Sequence, residues 1–337
     1  MFAPQAKVSV VIPNYNHALY LPKRIESVLN QTYSNIEVLL LDDCSPDNSR
    51  EIIEYYAAQD SRIRVVYNEV NGGNTFKQWN KGIALATGKY VWIAESDDYA
   101  DNTFLETLVD RLEEDSDIVM AYTDSYHIDE TNEVLGTWRW FMLEFDEILF
   151  ANDFVVSGRS LIQRFMSYRN IIPNASAVLL RRSTLQEVGP VASDMKVCGD
   201  WLYWARVIVK GKVAYTARQL NYFRTHGNNV RSKNDENGTA LLESVQILSA
   251  LQIYAPIESK SHNRAIKHLL DLWFYGFVYK KIPFSRHRAI YKAFVNAEPN
   301  FKRRFWQEIR LYMFSRNMSG VRIVLGDGFL FKLFAKK

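Results

Sequence analysis

Residues 8–43 read VSVVIPNYNHALYLPKRIESVLNQTYSNIEVLLLDD, and the fold is legible in the alternation within that stretch. Val8–Ile12 is a nearly unbroken β-branched run, the pattern of a strand buried on both faces. Leu21–Leu29 carries apolar residues at helical spacing, and Ile36–Leu41 (IEVLLL) is a second strand of the buried type. The rhythm continues outward. Asp47 can cap a helix running through Ile52, Ile53 and Tyr56. Arg62–Tyr67 reads as a strand, Thr75–Ala86 as a helix, Tyr90–Ala94 as a strand, Leu105–Leu112 as a helix and Asp117–Tyr122 as a strand. Strands alternating with helices at this spacing predict an α/β fold with a doubly wound, mostly parallel sheet. Beyond residue 123 the alternation breaks. His127–Leu135 reads as a hairpin turning at DETN, 138–150 is aromatic and irregular, and Ala175–Leu180, Gly199–Lys210 and Val213–Phe223 read as strand, helix and strand. The polar stretch 225–238 is the linker candidate, and helical patterns follow it. The expected division is a domain over 1–230 and a basic, aromatic, mainly helical region over 231–337.

Composition fits that picture. A chain of 337 residues, 47% apolar and 23% charged, is globular with a full core, and its length allows about two domains. Its two cysteines, Cys44 and Cys198, support neither a disulfide framework nor a four-cysteine zinc site. The first residues have neither the basic nor the apolar region of a signal peptide, and no stretch reaches the ~18 apolar residues of a membrane span. A reducing, cytoplasmic setting is the expectation.

Ligands of an open α/β sheet bind beyond the carboxyl ends of its strands. There the sequence places Pro13-Asn14-Tyr15-Asn16, then Asp42-Asp43-Cys44-Ser45, then Glu95-Ser96-Asp97-Asp98. Acid pairs after two strands of one sheet repel each other unless a cation or ligand donors lie between them. Capping and turn formation account for Asp47 and Asp101, but not for two pairs at strand ends. The turn after the first strand has no glycine, so a dinucleotide fingerprint is excluded. GxxxxGK[ST], HExxH and GxSxG are absent as well. Carboxylates and a divalent metal, rather than a glycine-rich phosphate cradle, are the implied anchors.

In motif order, VSVVIPNYN, SVLNQTY, IEVLLLDDCSPDNS and GIALATGKYVWIAESDD resemble the family 2, GT-A-fold inverting glycosyltransferases over roughly residues 7–232. Carried over residue by residue, the resemblance implies that Pro13 and Tyr15 line the nucleotide base, Tyr15 by stacking. Asp43 accepts a hydrogen bond from the base, and Lys77 stands near the donor. Asp97 contacts ribose or metal, and Asp98 ligates Mn²⁺ or Mg²⁺ at the diphosphate; here the family's DxD is replaced by Glu95-Ser96-Asp97-Asp98. Gly199-Asp200 matches the family's [GE]D element and makes Asp200 the catalytic base, a role a transfer with inversion requires of one carboxylate. A helix N-cap is the competing reading of Asp200. In FRTHGNN, the resemblance places Arg224 on phosphate and His226 on the metal or diphosphate. Asn174 falls on the acceptor side by position alone. Trp138, Trp140 and Phe141 suit either a sugar-stacking platform or ordinary packing, packing being favoured.

Charge is unevenly distributed. Residues 280–337 hold 14 Lys and Arg against three acids, net +11, which leaves −8 for the rest of the chain. Phe301, Phe305, Ile309 and Tyr312 form a helical stripe, and FLFKLFAKK repeats the Phe–Lys mixture. Such a segment suits an anionic membrane surface or a helical subdomain with solvated charges. No motif supports nucleic acid as a partner. The expected function is therefore a metal-dependent inverting transfer of a sugar from a UDP-, GDP- or dTDP-sugar. The expected acceptor is a glycan, one carried on a lipid in surface-polysaccharide assembly, met at the inner face of the membrane. The rivals are a non-catalytic nucleotide-sugar or glycan-binding module and a sugar nucleotidyltransferase.

Overall fold

The computed structural model describes residues 5–227 and 236–314. The chain divides into two compact units. One comprises Met1–Leu161, Ile171–Ser193 and Gly199–His226; the other comprises Ile162–Asn170, Asp194–Cys198 and Gly227–Lys337.

The first unit is built on a sheet of strand order β3-β2-β1-β4-β9-β6-β10-β5. Its parallel half consists of β1 (Val8–Asn14), β2 (Ile36–Asp42), β3 (Ile63–Tyr67) and β4 (Tyr90–Ile93). All seven residues of β1 are buried, which is why its sequence lacks the alternation of a half-exposed strand. Helices α1 (Leu21–Leu29), α2 (Ser49–Gln59), α3 (Thr75–Leu85) and α4 (Phe104–Glu113) make the crossovers. On α1, Leu21, Ile25 and Val28 are fully buried in the same core as Val10, Ile12 and Leu40, each worth about 1.5–3 kcal/mol of transfer free energy. Helix α3 lies so close to β1 that a Cβ on Gly82 would fall 2.2 Å from Val11 Cγ1. Its N-cap is Asn74, whose side chain accepts from Phe76 N at 2.8 Å. Asp47 stands one residue outside the α2 cap and still accepts from Ser49 N at 3.1 Å.

The second half of the sheet is mixed. It contains β5 (Tyr99–Ala100), β6 (Ile118–Ile128), β7 (Val134–Thr137), β8 (Phe154–Ser157), β9 (Val178–Arg181) and β10 (Lys212–Arg224). β10 runs parallel to β6, while β5 and β8 pair with β10, and β9 with β4 and β6, antiparallel. The expected hairpin at DETN is the β6–β7 pair, where Asp129 Oδ1 accepts from Thr131 N at 2.8 Å and Glu133 N at 2.9 Å. Short helices α5 (Arg139–Leu143), α6 (Glu147–Phe150), α7 (Gly158–Leu161) and α8 (Arg182–Val188) precede α9 (Gly199–Ile208), which carries Asp200 in its first turn.

The second unit holds α10 (Thr239–Tyr254), α11 (Ser259–Tyr279), α12 (Phe284–Ala297) and α13 (Phe301–Phe314). Its core joins Leu248, Leu269, Trp273, Ile290 and Phe294 to Phe301, Phe305 and Ile309. The stripe therefore faces inward, as the helical-subdomain reading expects: Phe301, Phe305 and Ile309 are 1%, 2% and 3% exposed. Burial against neighbouring helices satisfies these side chains, and Lys302, Arg303 and Arg310 are the exposed ones. The side chain of Tyr312 and the FLFKLFAKK segment lie outside the described residues. Among the described residues no helix is long and apolar enough to cross a membrane.

Candidate active site

Because β2, β1 and β4 are parallel neighbours, their carboxyl ends open on one edge of the sheet. The segments after them supply the site. Pro13 pairs with Leu41 and Asn14 with Asp42. Asn14 Nδ2 donates to Asp42 Oδ1 at 2.9 Å, and Ser45 Oγ donates to the same oxygen at 2.5 Å. Asp42 thus fastens the two strand ends together. Asp43 points elsewhere, its Oδ1 accepting from Asn68 Nδ2 at 2.6 Å and Gly72 N at 2.9 Å. Lys77 Nζ donates to Gly72 O at 3.1 Å, bracing the same loop. Both strand ends turn through left-handed residues without glycine, Asn16 at φ 57° and Cys44 at φ 60°. Between Asn14 and Asn16, the Tyr15 ring is left 43% exposed.

After β4 the acids diverge. Glu95 turns inward, accepting from Trp79 Nε1 at 2.6 Å; burial, aided by the Asp97 charge, pushes its carboxyl up to about 8. Asp98 is 2% exposed and accepts from Arg224 N at 2.9 Å. Burial and then the Asp97 charge push it up to about 7. Asp97 keeps 19% of its side-chain surface, and its Oδ2 lies 3.2 Å from His226 Nε2. Although burial works against it, the hydrogen bond from His226 holds Asp97 below the usual carboxylate range. His17 completes the group, its Nδ1 2.8 Å from Ser96 Oγ; burial lowers its own pKa and favours the neutral, ligating imidazole. One ligand atom from each of His17, Asp97 and His226 lies within 4.8 Å of the others. Two imidazoles and a carboxylate suit a divalent transition metal, Mn²⁺ better than the all-oxygen preference of Mg²⁺. Tyr20 packs on both histidines, at ring distances of 6.0 and 5.4 Å.

Two arginines frame these acids. Arg224 is 2% exposed and fully engaged: Nε donates to Asp97 O, Nη1 to Asp129 O and Nη2 to Asn132 Oδ1, each at 2.7 Å. The phosphate contact expected of it is not what this geometry offers; the guanidinium braces the Asp97–Asp98 turn from within. Arg24 on α1 is wholly buried. Its Nε donates to Glu95 O at 2.8 Å, while Nη1 and Nη2 have no hydrogen-bond partner among the described residues. Burial lowers its pKa to about 10, which leaves it cationic near neutrality beside Asp98, Asp97 and Glu95.

Asp200 is half-buried at the N-terminal turn of α9. Gly199 before it has no room for a side chain, because a Cβ would meet Phe76 Cε2 at 2.6 Å. Asn174 is 5% exposed: its side chain accepts from Ala177 N at 2.9 Å and Asn221 Nδ2 at 3.1 Å and donates to Ser125 Oγ at 3.1 Å. These bonds cap the turn 175–177 instead of serving an acceptor. Trp138 stacks on Trp140 at 6.3 Å and meets Phe223 edge-on at 5.5 Å, while Trp140 is 59% exposed. Sequence reading missed His17 and Arg24. A signal existed for Arg24, which falls among Leu21, Ile25 and Val28 at apolar-face spacing; a single histidine in a loop carries none.

The model of the family described as glycosyl transferase family 2 matches residues 9–172, which span β1 through the Asp97–Asp98 turn and beyond. Over those residues the chain carries a glycosyl transferase family 2 domain. Among curated relatives, Glycosyltransferase GlyG of Streptococcus pneumoniae is 42% identical over 126 residues, 37% of this chain and 41% of its own length. The chain thus spans about two-fifths of that relative. The putative teichuronic acid biosynthesis glycosyltransferase TuaG of Bacillus subtilis is 27% identical over 226 residues, 67% of this chain and 81% of TuaG. Among solved structures, S. aureus TarS 1–349 in complex with UDP superposes with a TM-score of 0.63 at 17% identity, over 97% of this chain and 89% of that one. This likeness bears out the expected GT-A-like fold.

Proposed function

We propose that this protein transfers a sugar from a nucleoside-diphosphate sugar to an acceptor hydroxyl with inversion, in cell-surface polysaccharide synthesis. One observation carries the reading: His17, Asp97 and His226 converge on the strand-end edge that also presents Tyr15 and Asp43. In this reading the exposed Tyr15 ring stacks on the base beside Pro13, and Asp43 accepts from it. Lys77 orders the loop at Gly72, and Asp98, held by Arg224 N, fixes the turn that aims Asp97. His17, Asp97 and His226 would hold a divalent ion, Mn²⁺ by donor type, whose chemistry when bound would be to neutralise charge on the diphosphate. Asp200 takes the proton of the acceptor hydroxyl as its oxygen bonds to the anomeric carbon. The bond from that carbon to the phosphate oxygen breaks, and the electron pair leaves with the nucleoside diphosphate. No second acid is needed.

Support for the polysaccharide setting comes from the likeness to TuaG. A lipid-linked glycan acceptor would bring the protein to an anionic surface, and residues 272–297 suit that encounter. They contain no acid; Tyr275, Tyr279 and Phe284 are 48%, 62% and 41% exposed, with Lys281, Arg288 and Lys292 exposed among them.

Calorimetric titration with UDP, GDP, dTDP and CMP, each with Mn²⁺, with Mg²⁺ and with neither, tests the donor site. One nucleotide should bind only with metal, and Asp97→Ala should abolish that binding. Failure of a folded sample to bind any of the four refutes the donor reading and leaves a glycan-binding module. With a sugar of the nucleotide that binds, Asp200→Asn should bind normally and lose turnover. Pyrophosphate-dependent release of sugar phosphate would point to a nucleotidyltransferase.

A further inference from the structure

Glu243 on α10 is a charged side chain that the proposed chemistry does not use, yet it is 6% exposed. Three successive backbone amides converge on it. Lys196 N donates to Oε1 at 2.8 Å, Val197 N to Oε2 at 3.0 Å and Cys198 N to Oε2 at 2.8 Å. An isolated buried carboxylate is costly, and charge-assisted bonds from amides compensate it. The arrangement is a backbone nest closed on an anion supplied from 45 residues downstream. The next residues in the chain are Gly199 and Asp200, which open α9.

We propose that Glu243 is a positioning residue for Asp200, acting through the backbone of residues 196–198. This rests on the reading of Asp200 as the base. Glycine is the least restrained residue a helix can start on, and the packing of Gly199 on Phe76 forbids a larger one there. The residues before it contribute order at the entry to α9, and the nearest three are those whose amides Glu243 holds. A base must reach the acceptor hydroxyl with little angular freedom, and a misplacement of about 1 Å costs on the order of 100-fold in rate.

The test uses the full chain, with Mn²⁺ and a sugar of the nucleotide identified by calorimetry. Glu243→Gln keeps the size of the side chain, but removes its charge and turns one acceptor into a donor facing amides. Its kcat should fall about 10- to 100-fold, with nucleotide Kd within about 2-fold of wild type. Hydrogen exchange should accelerate at amides 196–200. In the Asp200→Asn background the same change should cost nothing further, the signature of two residues acting as one unit. A folded Glu243→Gln with unchanged kcat overturns the proposal, and so does a loss that adds in full to that of Asp200→Asn. If Asp200→Asn itself turns over normally, or if the wild type turns over no sugar, the base reading fails and the proposal falls with it; a dead Asp200→Asn beside a normal Glu243→Gln sinks the proposal alone. Should Glu243→Gln not fold, Glu243→Asp replaces it: the charge stays and the reach shortens by one methylene. Faster exchange at 196–200 with unchanged kcat in that variant is equally decisive against it.

Discussion

Gly199→Ala is the sharpest test of how the start of α9 is packed. The added Cβ would lie 2.6 Å from Phe76 Cε2, 2.9 Å from Cδ2 and 3.0 Å from Cζ. Carbon atoms pack comfortably at about 3.5–4.0 Å, so the ring must retreat by about 1 Å. It has little room to do so: Phe76 is 3% exposed and meets Trp79 edge-on at 5.2 Å, and Trp79 in turn lies 5.8 Å from Trp204. Overpacking of this kind costs about 1–3 kcal/mol. Better helix propensity of alanine returns at most about 1 kcal/mol. The net expectation is a loss of about 1–2 kcal/mol, or about 2–8 °C in melting temperature. Thermal and urea denaturation measure the loss directly. Phe76→Leu removes the clashing ring edge, so the double variant should lose about 1 kcal/mol less than the sum of the singles. A Gly199→Ala protein that melts with wild type, or strictly additive singles, would refute the steric account of this glycine.

Other expectations follow from the same geometry. Arg224→Lys cannot reach Asp97 O, Asp129 O and Asn132 at once and should destabilise the fold by about 2–3 kcal/mol; unchanged melting with weakened nucleotide binding would instead return Arg224 to the phosphate. Burial alone would raise the Glu37 carboxyl, but hydrogen bonds from Ser9, Thr87 N, Lys7 and the Thr87 hydroxyl outweigh it and bring Glu37 down to about 2 from 4.5. A depressed carboxylate stabilises the fold above its unfolded pKa and loses that contribution as pH falls from about 4.5 to about 2; with 18% of the side chain exposed, screening reduces it to about 1–2 kcal/mol. Glu37→Gln should therefore lower stability at pH 7 and close the gap to wild type by pH 2 in urea titrations. His17→Ala should weaken Mn²⁺-dependent nucleotide binding at least about 10-fold, the scale of losing one coordinating or supporting group; unchanged binding removes His17 from the metal set. Vesicles with anionic lipid should pellet the full chain, and Tyr275→Ser with Tyr279→Ser and Phe284→Ser should release it; equal pelleting would move the contact elsewhere in the chain.

The strands that could be read directly were those whose sequence leaves no alternative: β1 and β2 are buried on both faces, so their apolar runs carry no competing helical period. β5 and β8 escaped because two residues and four residues at an antiparallel margin make no periodic signal. Strand-end acids were legible because their repulsion demands a partner, but which of them turns outward was not. Glu95 faces Trp79, Asp98 faces Arg224 N, and only Asp97 meets the histidines. Those choices depend on side chains brought from other elements. Glu243 had the least chance of being seen, since nothing in TALLESVQ separates a nest-filling carboxylate from a solvated one.

The interleaving of the two units bears on how the chain can be made and cut. Residues 162–170 and 194–198 precede the end of the first unit in sequence but belong to the second. During synthesis, the amides of 196–198 emerge from the ribosome well before the carboxylate they need. A fragment ending at residue 226 would strand both excursions without their unit. No single scissor point separates the two, so the helical unit is a poor candidate for exchange by simple fusion; a natural relative carrying a different C-terminal partner would have to rewrite these two short segments as well.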